Sequence, residues 1–572
     1  MKERGQGQAL NQGKVKLFLS QPNNISLLFY SLWILVTIFQ ARFTGLWNDE
    51  AYYWEYSRNL AWGYFDHPPM IALLIKAGYF LFPNELGIRF FIILLSTGTI
   101  FLIEKTLQPA NRSLFYIIVA SLGILQIGGM IAVPDIPLLF FSALFLWLYK
   151  RYLDQDSFAN SLLLALVIVL LMLSKYHGIL IIGFTLLSNL KLLQRKSFWI
   201  IVATSVILMI PHIYWQYENG WPSIYYHLFG HSPKPYKFSQ TLKYVFDQLA
   251  VPGSLTAILL WYYGFRAKPK DLFERALKFN LIGIYFFFFV MSFKSKIEAN
   301  WTVPVFIPLI ILAYQQSYLN KKAKKLYGIF FVISMVIIFA ARIFLLVDFL
   351  PNSSSFKPEF HKWDKWAQQI HQVAGDLPVV FENSYQKPSK YEFYTHQTAF
   401  VINTPAYRRS IFDYRNSESE LQGKKVILFS VVPFEGCNSL PTTQGTTYYK
   451  EINNFRLFSK VNIKPEKDNY SMKAGEPIQI TFSMEKDENI IADFDSNPEL
   501  PSYIYYGFFK NEILIYYRKT DFLLSNQTSF DKPYQFWLTP PEEKGTYYLN
   551  ISIKTGWLPP TINGRKITVE VN

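Results

Sequence analysis

The stretch from Leu46 to Met70, LWNDEAYYWEYSRNLAWGYFDHPPM, holds four carboxylates, one histidine and eight aromatic side chains. It directly follows residues 25–43, an apolar run that is long enough to cross a bilayer. Charged groups are costly in lipid, and those that sit at membrane depth are usually there for a function. We therefore expect this stretch to carry chemistry at the surface of a membrane.

The composition of the chain as a whole agrees with a membrane protein. Charged residues make up only 17% of the 572 residues, whereas soluble domains average about 25%. The formal net charge of +15 does not indicate nucleic acid, because the basic residues cluster in short segments between apolar runs, as cytoplasmic loops do. Cys437 is the single cysteine, which excludes an intrachain disulfide. The chain has no P-loop or dinucleotide-binding motif, so a soluble nucleotide is not an expected substrate.

The apolar runs predict an α-helical polytopic membrane protein with about eleven transmembrane helices. We expect no cleaved signal peptide, a cytoplasmic N-terminus and, after the last span, a chain on the outer side. The apolar segment 68–82 carries Lys76 and is predicted to lie flat on the outer surface, because a span there would turn the basic loops outward. The predicted spans are 24–44, 86–103, 113–131, 135–149, 160–174, 178–190, 198–215, 240–263, 279–293, 302–318 and 327–347.

Beyond the apolar runs, the sequence predicts soluble extracytoplasmic portions rich in strands. The predicted domains are a transmembrane domain at 1–350, a small α/β domain at 351–459 and a β-sandwich-like domain at 460–572. Buried strands are expected in LPVVFEN, AFVIN and KKVILFSVV, and helices in DKWAQQIHQVAG and SKYEFYTH. Alternating segments such as PIQITFSM, SYIYYGFFK and TYYLNISIK indicate the sandwich. Its role is either that of a rigid spacer or that of acceptor recognition through exposed tyrosines.

The candidate catalytic residues are acids and a histidine in the loops and span ends that are predicted to face the outer side of the membrane. A carboxylate among aromatic rings can act as a general base toward a hydroxyl group, although acids at the end of a span can also be simply solvated. Pro68 restricts the residue before it to extended backbone and so orients the Asp–His pair. Asp135 begins a span between two prolines, either as a helix cap or as a buried acid. The candidates are Asp49, Glu50, Asp66, His67 and Asp135.

The candidate substrate-binding residues are lysines with polar and aromatic neighbours on the same predicted outer side of the membrane. Lysines on the side that the positive-inside rule avoids fit an anionic phosphate, or else their side chains extend to lipid headgroups. The acids and histidines are compatible with a divalent metal, but no spacing among them is diagnostic, and the metal stays open. The binding candidates are Tyr53, Trp54, Lys175, His177, Lys294, Lys296, Glu298, Asn300 and Trp301.

Five features of the first 350 residues resemble the membrane glycosyltransferase C superfamily. They are the acidic pair Asp49–Glu50 after the first span, the HPP at 67–69, the RFFIIL at 89–94, the Pro134–Asp135 pair and the K-x-x-x-NW-x-x-P at 296–304. The sequence is most similar to the protein O-mannosyltransferase-like group, which includes the lipid A aminoarabinose transferases of bacteria. His67 stands where the aminoarabinose branch has a lysine.

The resemblance implies an enzyme of the bacterial cytoplasmic (inner) membrane. Its donor would be a polyprenyl-phosphate-linked sugar, and its acceptor would be lipid A, another glycan or a protein on the periplasmic side. Asp49 would be the catalytic carboxylate, and the lysines would bind the phosphate of the donor. A multi-span lipid or solute transporter or flippase is the alternative, but the charged groups lie at the ends of spans and the chain shows no internal repeat.

Overall fold

The structure is a computed structural model that describes residues 22–228, 236–349, 359–415, 417–486, 490, 492–530 and 532–572. The chain divides into two compact units whose main boundary lies between His361 and Lys362. We refer to the first as the helical unit and to the second as the strand-rich unit.

The helical unit consists of α-helices joined by short loops. Among the described residues, five helices are long and apolar enough to cross a membrane: α1, α4, α7, α10 and α16. The helices are α1 (Pro22–Phe43), α2 (Asn48–Arg58), α3 (Met70–Leu81), α4 (Glu85–Leu107), α5 (Arg112–Ala120), α6 (Gly123–Gln126), α7 (Asp135–Asp154), α8 (Phe158–Ser174), α9 (Gly178–Ser188), α10 (Lys196–Glu218), α11 (Pro222–Leu228), α12 (Phe238–Ala250), α13 (Thr256–Arg266), α14 (Leu272–Met291), α15 (Phe306–Ser317) and α16 (Lys321–Leu346). Short 3₁₀ helices lie at Gly128–Met130, Leu190–Gln194 and Ala299–Val305.

Several helices begin at a polar residue whose side chain accepts a hydrogen bond from the first turn. Asn84, Ser157, Asp271 and Asn320 cap α4, α8, α14 and α16 in this way. Such a cap satisfies a backbone N–H group that has no partner within the helix. These capping residues in the loops therefore help to set where the helices begin.

Two of the predicted spans are broken helices instead of single ones. The segment 113–131 consists of α5 followed by Gly123–Met130, and the chain bends by 79° between them. The segment 240–263 is interrupted after α12, where Gly253 has a φ of +60°. The two breaks touch each other, since Ile124 N donates to Pro252 O at 3.3 Å. A Cβ atom on Gly123 would lie 3.3 Å from the Cα atom of Gly253, so small residues permit this contact between two backbones.

The helical unit has a buried centre and an apolar outer surface. Residues Phe306–Tyr314 of α15 are buried throughout, together with most of α7. The helices α1, α10 and α16 instead leave large apolar side chains exposed, such as Leu35 at 63%, Ile207 at 62% and Val336 at 66%. Apolar side chains that point away from a well-packed core fit contact with lipid.

The strand-rich unit begins with a five-stranded sheet of order β2-β1-β3-β5-β4, with helices beside it. Strand β1 is parallel to both β2 and β3, and β5 runs antiparallel to β3. Both predicted helices and all three predicted strands are present, whereas the hairpin β4–β5 is absent from the sequence prediction. The elements are α17 (Trp363–Ala374), β1 (Val379–Glu382), α18 (Gln386–Thr395), β2 (Ala399–Ile402), a 3₁₀ helix (Ile411–Tyr414), α19 (Ser417–Leu421), β3 (Val426–Ser430), β4 (Asn438–Thr442) and β5 (Gly445–Ile452).

Two further sheets form a sandwich around one apolar core. The five-stranded sheet has the order β10-β9-β12-β13-β7, and the three-stranded sheet has the order β11-β8-β6. Phe482 of β8, Phe508 of β9 and Leu549 of β12 belong to the shared core, which contains side chains of both sheets. The strands are β6 (Asn462–Pro465), β7 (Asn469–Met472), β8 (Ile478–Glu485), β9 (Ser502–Lys510), β10 (Ile513–Leu523), β11 (Tyr534–Leu538), β12 (Gly545–Thr555) and β13 (Ile567–Val571). The boundaries of the three predicted domains stay a prediction.

Glu418 makes the stability of the strand-rich unit depend on pH. Its carboxylate is buried and accepts hydrogen bonds from the backbone N–H and the hydroxyl of Ser459. Burial raises the pKa of Glu418 from 4.5 to about 7. Because the folded state favours the protonated form, the contribution of this group is full below pH 4.5 and decreases as the pH rises to about 7.

We expect Glu418→Gln to remove this decrease, which amounts to roughly 3 kcal/mol. The variant gains stability relative to the unchanged chain above pH 7 and loses that advantage toward pH 4.5. Thermal unfolding of the purified full chain across this range measures the difference. Glu420→Gln, which changes an exposed acid of the same helix, is the matched control. Parallel pH profiles for Glu418→Gln and the unchanged chain would contradict the assignment.

Candidate active site

A buried ion pair between Glu50 and Arg89 connects α2 with α4. The Nε atom of Arg89 donates to Oε1 of Glu50 at 2.7 Å, and its Nη2 atom donates to Oε2 at 2.5 Å. Neither side chain is exposed to solvent. Two parallel hydrogen bonds of this kind are stronger than a single charged contact and fix the relative orientation of the two groups.

The remaining hydrogen-bonding groups of this pair bind three segments of backbone. Arg89 donates to carbonyl oxygens at the end of α1 and in the loop after it, and Glu50 accepts from two backbone N–H groups. The Arg89 acceptors are Ala41 O at 2.9 Å, Thr44 O at 2.6 Å and Gly45 O at 2.8 Å. The Glu50 donors are Trp47 N at 2.9 Å and Ala132 N at 2.9 Å. The pair therefore joins the loop between α1 and α2 to the segment that leads into α7.

Asp49 and Glu50 have different surroundings although they are neighbours in the chain. Both lie in the first turn of α2, where successive side chains point about 100° apart. Glu50 is fully buried and its two oxygens are occupied, whereas Asp49 is only half-buried. This difference favours a structural role for Glu50, which the sequence grouped with the catalytic candidates, and leaves Asp49 better placed for chemistry.

Asp135, Lys175 and Asn300 form a buried polar cluster from three separate segments. The Nζ atom of Lys175 donates to Oδ1 of Asp135 at 2.8 Å, and the Nδ2 atom of Asn300 donates to Oδ2 at 3.0 Å. Asp135 is 4% exposed and Lys175 is 5% exposed. The sequence allowed Asp135 to be either a helix cap or a buried acid. The structure shows a buried acid whose side chain caps no helix.

His67 lies near Asp66, Asp135, Lys175 and His227. Its Nδ1 atom is buried and has no hydrogen-bond partner among the described residues. The pKa of His67 is lowered to about 4, mainly by burial; Lys175 and His227 act in the same direction, whereas Asp66 and Asp135 act to raise it. The carboxylate of Asp66, in turn, accepts a hydrogen bond from the hydroxyl of Tyr56. The histidine is therefore neutral in this environment and close to both acids.

His177 contacts Trp301, which is one of the predicted aromatic residues, and Phe288, which is not. Its ring lies 5.0 Å from that of Trp301 and 5.4 Å from that of Phe288, centroid to centroid. Its Nδ1 atom is also buried and has no hydrogen-bond partner in the described part of the chain. Two buried imidazoles thus lie near the charge of Lys175.

The other predicted residues lie at different places around this cluster. Tyr53 packs against the ring of His67 at 5.4 Å, whereas Trp54 contacts Tyr79 at 5.8 Å. Lys294 is exposed, and Lys296 is exposed and forms an ion pair with Glu298 at 2.8 Å. The structure therefore connects Asp66, His67, Asp135, Lys175, His177, Asn300 and Trp301, and it leaves Lys294, Lys296 and Glu298 at the surface.

Arg89, Tyr56 and His227 are site residues that the sequence analysis missed. Arg89 could have been identified from the sequence, since an arginine inside a 23-residue apolar helix is costly unless it is paired. His227 bonds to the backbone oxygen of Asp66 at 3.0 Å through its Nε2 atom. Its position in an outer loop was visible in the sequence, but its proximity to residue 66 was not.

The residues that the structure describes contain no group of three or more His, Cys, Asp or Glu side chains arranged to hold a metal ion. The buried groups near His67 are instead a lysine, an amide, imidazoles and carboxylates. This set can bind an anion through the lysine and imidazole nitrogens and accept a proton through a carboxylate.

Comparisons with known proteins agree with this architecture. Residues 66–215 match the family model described as dolichyl-phosphate-mannose-protein mannosyltransferase. The lipid A galacturonosyltransferase RgtD of Rhizobium johnstonii is 25% identical over 308 residues, which is 51% of this chain and 64% of that protein. The chain therefore spans less than two thirds of the length of this curated relative.

Solved structures of ArnT from Cupriavidus metallidurans share the fold. The apo structure matches with a TM-score of 0.57 at 13% identity, and the structure bound to undecaprenyl phosphate matches with 0.57 at 14% identity. Each match covers 75% of this chain and 98% of the ArnT chain. The chain thus has an ArnT-like fold, with a helical region of membrane type and a strand-rich C-terminal part, and a quarter of it lies outside the match.

The chain is thus similar, over part of its length, to a protein mannosyltransferase family and to a lipid A galacturonosyltransferase, and it shares its fold with ArnT.

Proposed function

We propose that the protein transfers a sugar from a polyprenyl-phosphate-linked donor to a lipid-anchored acceptor of the lipid A type. The name of the curated relative supports the acceptor class, and the ArnT structure with undecaprenyl phosphate supports the donor class. The reaction takes place at the outer face of the bacterial cytoplasmic membrane. The protein crosses that membrane about eleven times and carries its strand-rich unit on the periplasmic side.

The reaction exchanges one bond at the anomeric carbon of the sugar. The acceptor hydroxyl oxygen bonds to this carbon, and the bond between the carbon and the phosphate oxygen breaks. The electron pair of that bond stays on the departing polyprenyl phosphate, and the hydroxyl proton goes to a carboxylate. The transition state resembles an oxocarbenium ion, so fixed negative groups stabilise the carbon and cations stabilise the phosphate.

The residues of the site divide between these tasks. Asp49 accepts the proton of the acceptor hydroxyl. Lys175 binds the donor phosphate. Asp135 fixes the position of Lys175, and Asn300 fixes that of Asp135. His67 is near enough to contribute a second positive group when it is protonated. Glu50 and Arg89 position the loops and do not touch the substrates.

One observation supports this arrangement most strongly. Glu50 follows Asp49 directly and accepts a hydrogen bond from Ala132 N at 2.9 Å, three residues before Asp135. The segment of the proposed base and the segment of the proposed phosphate site are therefore joined by a single buried side chain. Such a connection suits a site in which small displacements of the reacting groups reduce the rate strongly.

Asp49→Asn is expected to reduce transfer at least about a hundredfold, because an amide cannot accept the proton at this position. The assay incubates membranes with undecaprenyl-phosphate-linked sugar and lipid A and detects the product by mass spectrometry. Donor binding and thermal stability should persist, and Glu85→Gln, an acid at the start of α4, serves as the control. Unchanged transfer by Asp49→Asn would remove the proposed mechanism. Product on glycan or protein but not on lipid A would overturn the acceptor class only.

Arg89→Met should destabilise the protein by about 3–5 kcal/mol, because it leaves the buried carboxylate of Glu50 without its cation. Adding Glu50→Gln should recover part of this loss, since the amide oxygen still accepts hydrogen bonds and carries no charge. Thermal unfolding of the two single variants and the double variant in detergent measures the coupling. Additive losses would show that the two side chains do not act as a pair.

Cys437 offers a direct test of the proposed topology. It is the single cysteine of the chain, lies in the strand-rich unit and is partly exposed. A thiol reagent that cannot cross membranes should label Cys437 in intact spheroplasts as strongly as in lysed ones. Cys437→Ser provides the background signal. Labelling only after lysis would place the strand-rich unit in the cytoplasm and overturn the topology.

A further inference from the structure

The outer face of the five-stranded sheet of the sandwich carries a row of tyrosines. Side chains alternate along β9, so Ile504, Tyr506 and Phe508 enter the core and their neighbours point to the opposite face. Tyr503 and Tyr505 of β9, Tyr517 of β10 and Tyr548 of β12 lie on this opposite face and are all partly exposed. We refer to it as the tyrosine face.

The strand register places these rings next to polar side chains. Tyr505 pairs with Lys519 on one side and with Ser552 on the other. Tyr503 pairs with Lys554, and Leu523 lies on its other side. The face therefore places ammonium groups beside rings across three strands, whereas the hydroxyl of Ser552 is buried.

Tyr517 is fixed in one orientation across the neighbouring strand. Gly507 lies opposite it, and a Cβ atom at that glycine would come within 2.7 Å of the Tyr517 ring. The Tyr517 hydroxyl reaches Asn550 Oδ1 at 3.3 Å and Ser552 Oγ at 3.0 Å on β12. The ring thus lies over the backbone of β9 as part of a preformed flat surface, which reduces the entropy lost when a ligand binds.

Two lysines on the tyrosine face have aromatic neighbours and no acidic partner. The Nζ atom of Lys519 lies 3.2 Å from the ring centroid of Tyr503, and that of Lys554 lies 5.4 Å from the ring of Tyr505. Neither ammonium forms an ion pair with a carboxylate of the described residues. Burial also lowers the pKa of Lys554, as expected of a partly desolvated cation without a counter-charge.

These features together define a class of ligand. Flat rings stack on the C–H faces of sugar rings, and the hydroxyls of partly exposed tyrosines can bond to sugar hydroxyls. Unpaired ammonium groups add a preference for carboxylate or phosphate substituents. A membrane is less suitable, because the face presents mainly tyrosines and lysines, with Leu514 and Leu523 as the large exposed aliphatic side chains among its described residues.

We propose that the tyrosine face is a binding site for an acidic saccharide. The saccharide lies across β10, β9 and β12, with its rings on Tyr503, Tyr505 and Tyr517 and its anionic groups on Lys519 and Lys554. This site is separate from the proposed transfer reaction and needs no catalytic residue. It gives the strand-rich unit a recognition role instead of that of a spacer.

The test uses the purified full chain in detergent and measures binding by calorimetry. The probes are tetragalacturonate, a glucosamine disaccharide bisphosphate, neutral cellotetraose and vesicles with phosphatidylglycerol. We expect at least one acidic saccharide to bind and to bind more weakly as salt increases. Lys519→Gln with Lys554→Gln should weaken this binding at least about tenfold, because both charged hydrogen bonds to the anionic groups are lost. Tyr505→Ala should weaken it as well.

The matched control removes two positive charges from the other side of the same sheet. Lys510 pairs with Glu543, and both Arg518 and Glu543 line a cleft of about 400 Å³ at the edge of the sandwich. Lys510→Gln with Arg518→Gln should leave saccharide binding unchanged. Failure of both acidic probes, equal binding of cellotetraose, binding of vesicles alone, or an equal loss in the control would each overturn the proposal.

Discussion

The buried pair of Glu50 and Arg89 is the constraint on which the first outer loop depends. Transferring two charges out of water is unfavourable unless their hydrogen bonds are nearly all made. Here the guanidinium binds one carboxylate and three carbonyl oxygens, and the carboxylate also accepts two backbone N–H groups. Because these partners come from the end of α1, the loop after it and the segment before α7, shifting any one of these segments would leave a buried charge incompletely paired. The loop therefore has a single low-energy arrangement.

This constraint explains how two adjacent acids come to have separate tasks. Glu50 faces inward and holds the loop, so the direction of the neighbouring Asp49 side chain follows from helix geometry. The same carboxylate binds the backbone at Ala132, which limits where α7 and its first residue, Asp135, can lie. Asp135 then holds Lys175 from the end of α8. The distance between a proposed base and a proposed phosphate site is thus set by a chain of charged hydrogen bonds.

Local patterns predicted much of this molecule, and non-local contacts account for what they missed. The segment SYIYYGFFK alternates and forms β9 over Ser502–Lys510, since a sandwich strand needs only one apolar face. The break before Gly123 was missed because it depends on Gly253, which lies far away in the chain. The sequence likewise identified Asp135, Lys175 and Asn300 one by one, but their contacts span 40 and 165 residues. Arg89 shows that a charge inside an apolar helix deserves a search for its partner.

The electrostatics of the cluster indicate how a donor would change it. Without a bound anion, the charge of Lys175 is balanced by Asp135, and burial keeps His67 neutral with its pKa at about 4. A phosphate placed between them adds a negative charge that favours the protonated form of a nearby imidazole. If the donor binds here as proposed, its binding is linked to uptake of a proton by His67, and the imidazolium forms only when the phosphate is present. A lysine at position 67 would carry its charge in the empty site as well, so histidine reduces the repulsion with Lys175 before the donor arrives.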